Sequence, residues 1–271
     1  MVKLIVCDID NTLVPKHKQP SDRTLACIHE FEKRGILFGL ASGRSTDMLR
    51  DLANEWGIHC DILIGNNGGE YQDEINGEHD ILDKLSCDDL HEIFKIMEPF
   101  KDKVNCQMFI NGVRYIRRLD EQTAKAIKYS NDAEKPVIVE DESVFWSEPA
   151  YKVGFRTPAE IMPEVEKHCA KYSNDVFKSF KTEFTMYEFA RTEADKGKML
   201  VRFCKSHNIP IEDTVAFGDM TNDVSILEAA GLGVCLENGS PDAKQAADVI
   251  TDLSIEVDGF ADYVEKHILN S

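Results

Sequence analysis

The feature that most constrains the fold is a short apolar run near the start of the sequence, followed at once by acidic residues. The run "VKLIVCD" does not alternate apolar with polar residues, and it is bounded by charge. A strand with this pattern is buried on both faces, as the strands of a parallel sheet are. Two further strand-like runs, "ILFGLAS" and "DILIGNNGG", follow it. The N-terminal third therefore predicts a β-α-β-α-β unit with a parallel sheet.

The two segments between these runs carry the signals of helices. The first, "SDRTLACIHEFEKRG", begins with Ser21, a favourable N-cap, and ends at Gly35, a favourable C-cap. The second, "GRSTDMLRDLANEWG", ends in the same way at a glycine. Its apolar residues fall on one side of a helix: Met48, Leu49, Leu52, Ala53 and Trp56.

The C-terminal part of the chain resumes the same alternation, whereas the middle has a different texture. Segments such as "NCQMFINGVRYIRRL" and "DVFKSFKTEFTMYEF" resemble antiparallel hairpins, and helix-like segments accompany them. We therefore expect an α/β protein in two domains. Residues 1–80 and 188–271 form a discontinuous core, and residues 81–187 form an inserted domain.

Composition excludes some classes of function. Lys and Arg total 31 and Asp and Glu total 49, so the net charge is −18, the wrong sign for a general nucleic-acid binder. No apolar run approaches the roughly 20 residues of a membrane span. The 8 cysteines are scattered singly, without zinc spacing, and the N-terminus does not resemble a signal peptide. These observations predict a cytoplasmic protein with reduced thiols.

Polar residues collect where the predicted strands end. Because the carboxyl ends of parallel strands meet at one edge of a sheet, ligands bind there. The residues concerned are Asp8, Asp10 and Thr12 after the first strand, Ser42, Gly43 and Arg44 after the second, Asn67 after the third, and Asp219, Asn222 and Asp223 after the strand at 214–217. Lys196 begins a helix just before that last strand.

Each of these residues has an ordinary alternative explanation. An Asp or Ser after a strand can cap a loop or a helix, and a single Lys is usually solvated. Together they indicate phosphoryl transfer. Asp8, Asp10 and Asp219 at one place require a cation, and carboxylates with open positions suit Mg²⁺. Ser42 and a helix N-terminus suit a phosphate, whose charge Lys196 would offset.

The motifs also resemble a known family. "DIDNTL", "ASGR", "DKGK" and "GDMTND" are similar to the four motifs of the haloacid dehalogenase (HAD) superfamily, in that order. "NNGGEY", "GLGVCLENGSPDAKQAADVIT" and "DGFADYV" resemble its Cof-type subfamily, which has a C2-type (IIB) cap. The resemblance covers nearly the whole chain. It implies a Rossmann-like parallel-sheet core with an inserted α+β cap domain that determines substrate specificity.

The resemblance also implies roles for individual residues. Asp8 is similar to the nucleophile that forms an aspartyl-phosphate, and Asp10 to the general acid and base. Asp8 and Asp219 would bind Mg²⁺ through side chains, and Asp10 through its backbone carbonyl. The residues similar to phosphate contacts are Ser42, Gly43, Lys196 and Asn222. Those with supporting positions are Asp223, Thr12, Arg44 and Asn67. Four cations of the inserted domain are weaker candidates for substrate contact: Lys152, Arg156, Lys178 and Lys181.

One residue departs from the family pattern. The family usually has Gly where this chain has Asn11. Asn is the next most tolerant residue of left-handed backbone geometry, so we expect the loop to keep its shape.

The resulting expectation is a Mg²⁺-dependent phosphatase, a hydrolase of phosphoric monoesters, that acts on a small phosphorylated metabolite such as a sugar phosphate. Asp10 favours phosphate chemistry over dehalogenation, because an alkoxide needs a proton to leave and a halide does not. Two alternatives stay open at this point: a phosphomutase-type phosphotransferase, and a catalytically silent regulatory or binding protein. The sequence gives no indication of the oligomeric state.

Overall fold

The computed structural model describes residues 2–15, 18–110, 113–129 and 135–270. The chain forms two compact units. The first consists of Met1–Ile81 and Ala194–Ser271, and the second of Leu82–Glu193. The first unit is therefore built from two separate stretches of sequence, with the second unit inserted between them.

The helices and strands follow one another in chain order. The first stretch contains β1 (Leu4–Cys7), α1 (Asp22–Arg34), β2 (Leu37–Ala41), α2 (Thr46–Trp56), β3 (Ile62–Gly65), β4 (Glu70–Asp73) and β5 (His79–Ile81). The second unit contains α3 (Cys87–Met97), β6 (Asn105–Ile110), β7 (Val113–Ile116), α4 (Glu121–Tyr129), β8 (Val137–Ile138), β9 (Lys152–Arg156), α5 (Met162–Cys169), β10 (Phe177–Glu183) and β11 (Met186–Arg191). The last stretch contains α6 (Lys196–Ser206), β12 (Thr214–Gly218), α7 (Val224–Ala229), β13 (Leu232–Cys235), α8 (Pro241–Ala246), β14 (Val249–Ile250) and α9 (Gly259–Val264).

The sheet of the first unit has the order β14-β13-β12-β1-β2-β3-β4-β5. All pairs from β14 to β3 are parallel, whereas β4 and β5 add an antiparallel edge that the sequence did not predict. Cys7 at the end of β1 pairs with Phe217 on one side and with Leu40 on the other. Along the chain, β1 is followed by β2 on one side, whereas its neighbour on the other side is β12, so the order of connection reverses at β1. The carboxyl ends of β12, β1 and β2 therefore form the topological switch point.

Strand β1 is buried on both faces, as its sequence predicts. Ile5 and Cys7 pack in an apolar cluster with residues of α1, α2 and α9. Leu4 and Val6 point to the opposite face, where they pack in a second cluster with residues of α6. All four side chains have 0% exposure. The parallel-sheet α/β class is thereby confirmed.

The capping residues in the sequence predict the bounds of α1 more accurately than those of α2. The Ser21 side chain accepts a hydrogen bond from the Thr24 N–H, and Gly35 ends α1 with a φ of 69°. Helix α2 begins at Thr46 after the N-cap Ser45 rather than at Gly43. Met48 is 43% exposed, so it does not share the buried side of the helix with Leu49, Ala53 and Trp56. The buried residues of α2 follow a narrower stripe: Thr46, Leu49, Ala53 and Trp56.

The second unit is an α+β domain with its own sheet, in the order β10-β11-β9-β6-β7-β8. Its pairs are antiparallel except for β7 with β8. The unit ends at Glu193 rather than at the predicted residue 187, because β11 pairs with β10 along its whole length and with β9 from Met186 to Ala190. Among the described residues, no helix is long and apolar enough to cross a membrane. All eight cysteines are free thiols.

Phe217 should be a major source of stability in the first unit. Its ring is fully buried, with ring centroids 4.8 Å from Phe260 and 5.8 Å from Tyr263 in α9. We expect Phe217→Ala to lower the free energy of unfolding by about 3–5 kcal/mol, since it removes apolar contacts and leaves a cavity.

The measurement is urea unfolding followed by the fluorescence of Trp56, in a Trp146→Phe background so that only the first unit reports. Val257→Ala is the matched control, because Val257 is 58% exposed and should change the free energy by less than about 0.5 kcal/mol. Equal losses in the two variants would contradict the assignment of Phe217 to the core.

Candidate active site

The ammonium group of Lys196 lies at the centre of the site. Its Nζ donates hydrogen bonds to Asp8 Oδ1 at 2.7 Å, to Asp223 Oδ1 at 2.6 Å and to the Ala41 carbonyl at 2.9 Å. Lys196 has 0% exposure. All three N–H donors of the ammonium group are thereby used. The buried positive charge is paired with two carboxylates, and each donor has a hydrogen-bond acceptor in the protein. The lysine connects the ends of β1 and β2 with the loop after β12.

Asp223 fixes the loop after β12 from within. Its Oδ2 accepts hydrogen bonds from the backbone N–H groups of Asp219 and Met220, both at 3.0 Å. Gly218 makes room for this carboxylate, because a Cβ there would lie 2.4 Å from the Cβ of Asp223. Asp223 therefore contacts Lys196 through one carboxylate oxygen and holds the loop through the other.

Three carboxylates meet beside this lysine. Oxygen atoms of Asp8, Asp219 and Asp223 lie within 4.8 Å of one another, and all three side chains are buried. Thr12 Oγ1 donates to Asp219 Oδ1 at 2.8 Å. Asp219 Oδ2 is buried and has no hydrogen-bond partner among the described residues. An unpartnered buried carboxylate oxygen next to two other carboxylates is a donor set that a hard cation could use.

The charges of this cluster do not balance. Burial raises the pKa of Asp8 to about 7, an effect that Lys196 opposes and Asp223 reinforces. Burial also raises the pKa of Asp219 well above its usual range, and the charges of Asp8 and Asp223 add to the rise. Burial disfavours the charge of Lys196, but Asp223 and Asp8 outweigh it and raise its pKa. One ammonium cannot neutralise three carboxylates, so the site is short of positive charge.

Asp10 is not part of this cluster of side chains. The sequence grouped Asp8, Asp10 and Asp219, but the third clustered carboxylate is that of Asp223. The Asp10 carboxylate instead accepts two hydrogen bonds from Arg44 Nη2, at 2.9 and 3.1 Å. Both side chains are about one-third exposed. Strand β1 directs one aspartate into the buried cluster and the second, two residues later, toward Arg44.

The loop that carries Asp10 keeps its shape with Asn11. Asn11 has a φ of 64°, the left-handed geometry expected from the substitution of the family glycine. Its N–H donates to the Val14 carbonyl at 2.8 Å, and its carbonyl accepts from Asn238 Nδ2 at 2.8 Å. These two bonds hold the turn between Asp10 and Thr12.

The phosphate contacts proposed from sequence lie on adjacent loops. Ser42 is 4% exposed, and its carbonyl accepts from the Asn67 N–H at 2.9 Å. Asn222 Nδ2 donates to Asn67 Oδ1 at 3.0 Å. Gly43 lies in the bend after Ser42 and is half-buried. Asn67 is 3% exposed, so it belongs to the interior of the protein.

Sequence reasoning missed Glu70. This buried carboxylate accepts hydrogen bonds from the Thr46 N–H at 2.8 Å and from Asn66 Nδ2 at 2.8 Å. It thereby ties the start of α2 to the loop after β3. Glu70 is the last residue of "NNGGE". An acidic side chain within a strand of the first unit is the sequence feature that could have indicated it.

Three of the four candidate cations of the second unit have carboxylate partners within that unit. Lys152 bonds to Glu188 at 2.9 Å, and Lys181 lies 3.2 Å from Glu166. Arg156 Nη1 lies 3.9 Å from Glu183. A role in contacting substrate stays a prediction for each of them.

Comparison with known proteins identifies the family. The sequence matches the haloacid dehalogenase-like hydrolase family over residues 5–264. A 5-amino-6-(5-phospho-D-ribitylamino)uracil phosphatase of Bacillus subtilis is 26% identical, over 99% of this chain and 96% of the relative. A crystal structure of a haloacid dehalogenase-like hydrolase from Bacteroides thetaiotaomicron has a TM-score of 0.76 and 25% identity, over 98% of this chain and 99% of that one.

A structure described as a HAD subclass IIB sugar phosphatase shares the fold, with a TM-score of 0.77 and 20% identity over 97% of this chain and 98% of that one. The family match spans almost the entire sequence. The chain therefore belongs to the haloacid dehalogenase-like hydrolases, as a Cof-type phosphatase that hydrolyses phosphoric monoesters.

Replacing Lys196 should destabilise the protein strongly. Lys196→Met leaves Asp8 and Asp223 buried without their cation, so we expect the free energy of unfolding to fall by about 3–5 kcal/mol near neutral pH. Denaturant unfolding of the full chain measures the loss. Lys198→Met is the matched control, because Lys198 lies on the same helix and is exposed. A loss no larger than that of the control would contradict the central role of the buried ammonium.

Proposed function

We propose that the protein is a Mg²⁺-dependent phosphatase that hydrolyses a small phosphorylated metabolite through an aspartyl-phosphate on Asp8. One observation supports this most directly. Asp8 leaves the central strand at the topological switch point, bonded to the buried Lys196 and within 4.8 Å of two further carboxylates. This is the environment that a carboxylate nucleophile for phosphoryl transfer requires, since the reaction depends on positioning and charge neutralisation.

The residues present suit a magnesium ion. Asp219 Oδ2 lacks a protein partner among the described residues, and Thr12 occupies the other oxygen of the same carboxylate. The side chains of Asp8 and Asp219 and the backbone carbonyl of Asp10 would hold the ion. All three donors are oxygens, which Mg²⁺ prefers. When bound, Mg²⁺ supplies positive charge to the phosphoryl oxygens and to the carboxylates around them.

In the first chemical step, the Asp8 oxygen that is not bonded to Lys196 attacks the phosphorus atom. The Asp8–phosphorus bond forms as the bond from phosphorus to the leaving oxygen breaks. Asp10 gives its proton to that leaving oxygen, which departs as an alcohol. In the structure the Asp10 carboxylate is paired with Arg44 at 2.9 Å, so Asp10 must take up a proton and loosen this ion pair before it acts as the acid.

The second step returns the enzyme to its starting state. Asp10 takes a proton from a water molecule as the water oxygen attacks phosphorus and the Asp8–phosphorus bond breaks. Inorganic phosphate leaves, Asp8 is again a carboxylate and Asp10 again carries a proton. Ser42, Gly43 and Asn222 would hold the phosphoryl oxygens during both steps, and Lys196 offsets the charge of Asp8.

The names of relatives support the class of substrate. One is a phosphatase for a ribityl phosphate derivative, and a structural neighbour is described as a sugar phosphatase. We therefore expect a small phosphorylated metabolite, with a sugar phosphate first among the candidates. We assign the discrimination between such substrates to the second unit, Leu82–Glu193, because the four catalytic motifs all lie outside it.

Two aspartate variants test the mechanism. Asp8→Asn removes the nucleophile, so phosphate release should fall below detection. Asp10→Asn should lose about 10²–10⁴-fold in kcat, since it removes general acid and base catalysis. The measurement is phosphate release from a panel of sugar phosphates, nucleotides and cofactor phosphates, with and without Mg²⁺. Asp252→Asn, on the exposed surface, is the control and should keep full activity.

Retained Mg²⁺-dependent activity in purified Asp8→Asn would rule out the mechanism. Conversion of a hexose 1-phosphate to its 6-phosphate without free phosphate would show transfer to a sugar hydroxyl rather than hydrolysis. No turnover on the whole panel would favour a silent binding protein.

The raised pKa of Asp8 predicts how pH and Mg²⁺ act together on stability. Between about 4, the ordinary value, and about 7, the folded metal-free protein keeps a proton on Asp8 that the unfolded chain has lost. Its free energy of unfolding therefore falls as pH rises through this interval. Mg²⁺ needs the ionised carboxylates, so we expect it to raise Tm clearly at about pH 8.5 and little at about pH 5.5.

Thermal unfolding with Mg²⁺ or with a chelator measures the difference. Asp219→Asn should abolish most of the Mg²⁺-dependent rise at the higher pH. An equal rise in Tm at both pH values would contradict an ion bound by these carboxylates.

A further inference from the structure

The loop after β3 has an unusual backbone. Asn66, Asn67 and Gly68 have φ values of 47°, 56° and 95° in succession. Left-handed geometry is disfavoured for residues other than glycine, and asparagine is among the few that adopt it readily. Three such residues in a row persist only where neighbouring groups hold them.

Backbone hydrogen bonds hold one side of this loop. The Asn66 N–H donates to the Arg44 carbonyl at 2.7 Å, and the Asn67 N–H donates to the Ser42 carbonyl at 2.9 Å. The Asn66 side chain is bonded to Glu70 instead. The loop is thus fastened to the segment that carries the proposed phosphate contact Ser42.

The other side of the loop lies against the start of α6. A Cβ on Gly68 would lie 2.4 Å from backbone atoms of Asp195, the residue before Lys196. Only a residue without a side chain permits this approach. The loop therefore lies between the Ser42 segment and the segment that delivers Lys196.

The side chain of Asn67 reaches a third segment. It is 3% exposed, and its Oδ1 accepts a hydrogen bond from Asn222 Nδ2 at 3.0 Å. The hydrogen bond orients the Asn222 amide with its nitrogen toward Asn67. In the opposite orientation, Asn222 Oδ1 would face Asn67 Oδ1, and both atoms are acceptors. Asn222 Oδ1 is buried and has no hydrogen-bond partner among the described residues, so no second protein bond to that oxygen orients the amide.

We propose that Asn67 is a positioning residue, which orients the side-chain amide of Asn222 for its hydrogen bond to the phosphoryl group of the substrate. The inference rests on the proposed function, in which Asn222 contacts phosphoryl oxygens. Asn67 meets two requirements at once: its backbone takes a φ of 56°, and its side chain supplies an acceptor. Glycine meets only the first requirement, aspartate meets both, and alanine meets neither.

Asn67→Gly is the informative variant, because it keeps the backbone geometry and removes the acceptor. We expect kcat/KM for p-nitrophenyl phosphate to fall about tenfold, the typical effect of one lost bond to a charged group. Asn67→Asp keeps the acceptor but adds a buried negative charge, so it should retain the coupling to Asn222 without restoring full activity. In an Asn222→Ala background, Asn67→Gly should cost nothing further, since the residue through which it acts is gone.

Asn66→Gly is the matched comparator. It removes the neighbouring amide, which is bonded to Glu70 and not to Asn222. Any loss that it causes comes from loosening of the loop, so that loss should be the same with and without Asn222→Ala. If Asn67→Gly behaves in this additive way, or leaves kcat/KM unchanged, the positioning role is overturned.

Binding of inorganic phosphate in the presence of Mg²⁺ separates this inference from the proposed function. The side-chain amide resonance of Asn222, assigned by its loss in Asn222→Ala, should shift when phosphate binds to the wild-type protein. Asn67→Gly should displace that resonance before phosphate is added and weaken phosphate binding about tenfold.

If the wild-type protein binds phosphate but hydrolyses nothing, the proposed function fails while the effect of Asn67→Gly on binding still supports the positioning role. If the protein is active and the variant alters neither binding nor turnover, only the positioning role fails. If the wild-type protein neither binds phosphate nor hydrolyses an ester, both are overturned.

Discussion

The buried ion pairs of Lys196 are the interaction on which the rest of the site depends. A fully buried ammonium is tolerated only where its charge is paired and its donors are used, and here two carboxylates and one carbonyl meet both demands. These acceptors come from the ends of β1 and β2 and from the loop after β12. A single side chain therefore fixes the separation of three segments that are distant in sequence and adjacent in the sheet.

The same arrangement leaves the site with excess negative charge. Burial and their mutual repulsion raise the pKa values of Asp8 and Asp219, so a further cation would favour the ionised forms of both carboxylates. A neutral acid is a poor nucleophile and a poor metal ligand. In the proposed mechanism, a cation bound beside Asp8 would therefore also favour the ionised form that Asp8 needs as the nucleophile. Around this charged centre, the loop of Asn66, Asn67 and Gly68 holds neutral donors and acceptors in place.

The sequence was most informative where one strong pattern decided the structure. Buried apolar runs predicted β1 and β12, and the structure brings together Asp8 and Asp219, the polar residues that follow these two strands. The parts that it could not indicate depend on contacts between distant segments. Asp223 replaced Asp10 in the carboxylate cluster because the loop after β12 folds back on itself, and β11 joined the inserted unit because it pairs with β9 and β10. The bond between Asn67 and Asn222 depends on a left-handed loop, which no periodicity of residues encodes.

The division of the first unit into two stretches has a consequence for its biosynthesis. Strand β1 is the central strand of its sheet, yet its neighbour β12 begins only at Thr214. During translation, β1 to β5 leave the ribosome before the inserted unit, with one edge of β1 unpaired, and the whole inserted unit is synthesised before that edge can be filled. The inserted unit, whose contacts are contained in one continuous stretch, is free to fold in the meantime. Assembly of the catalytic centre is thus among the last events in the maturation of the chain, and a truncated product carries an exposed strand edge instead of an active site.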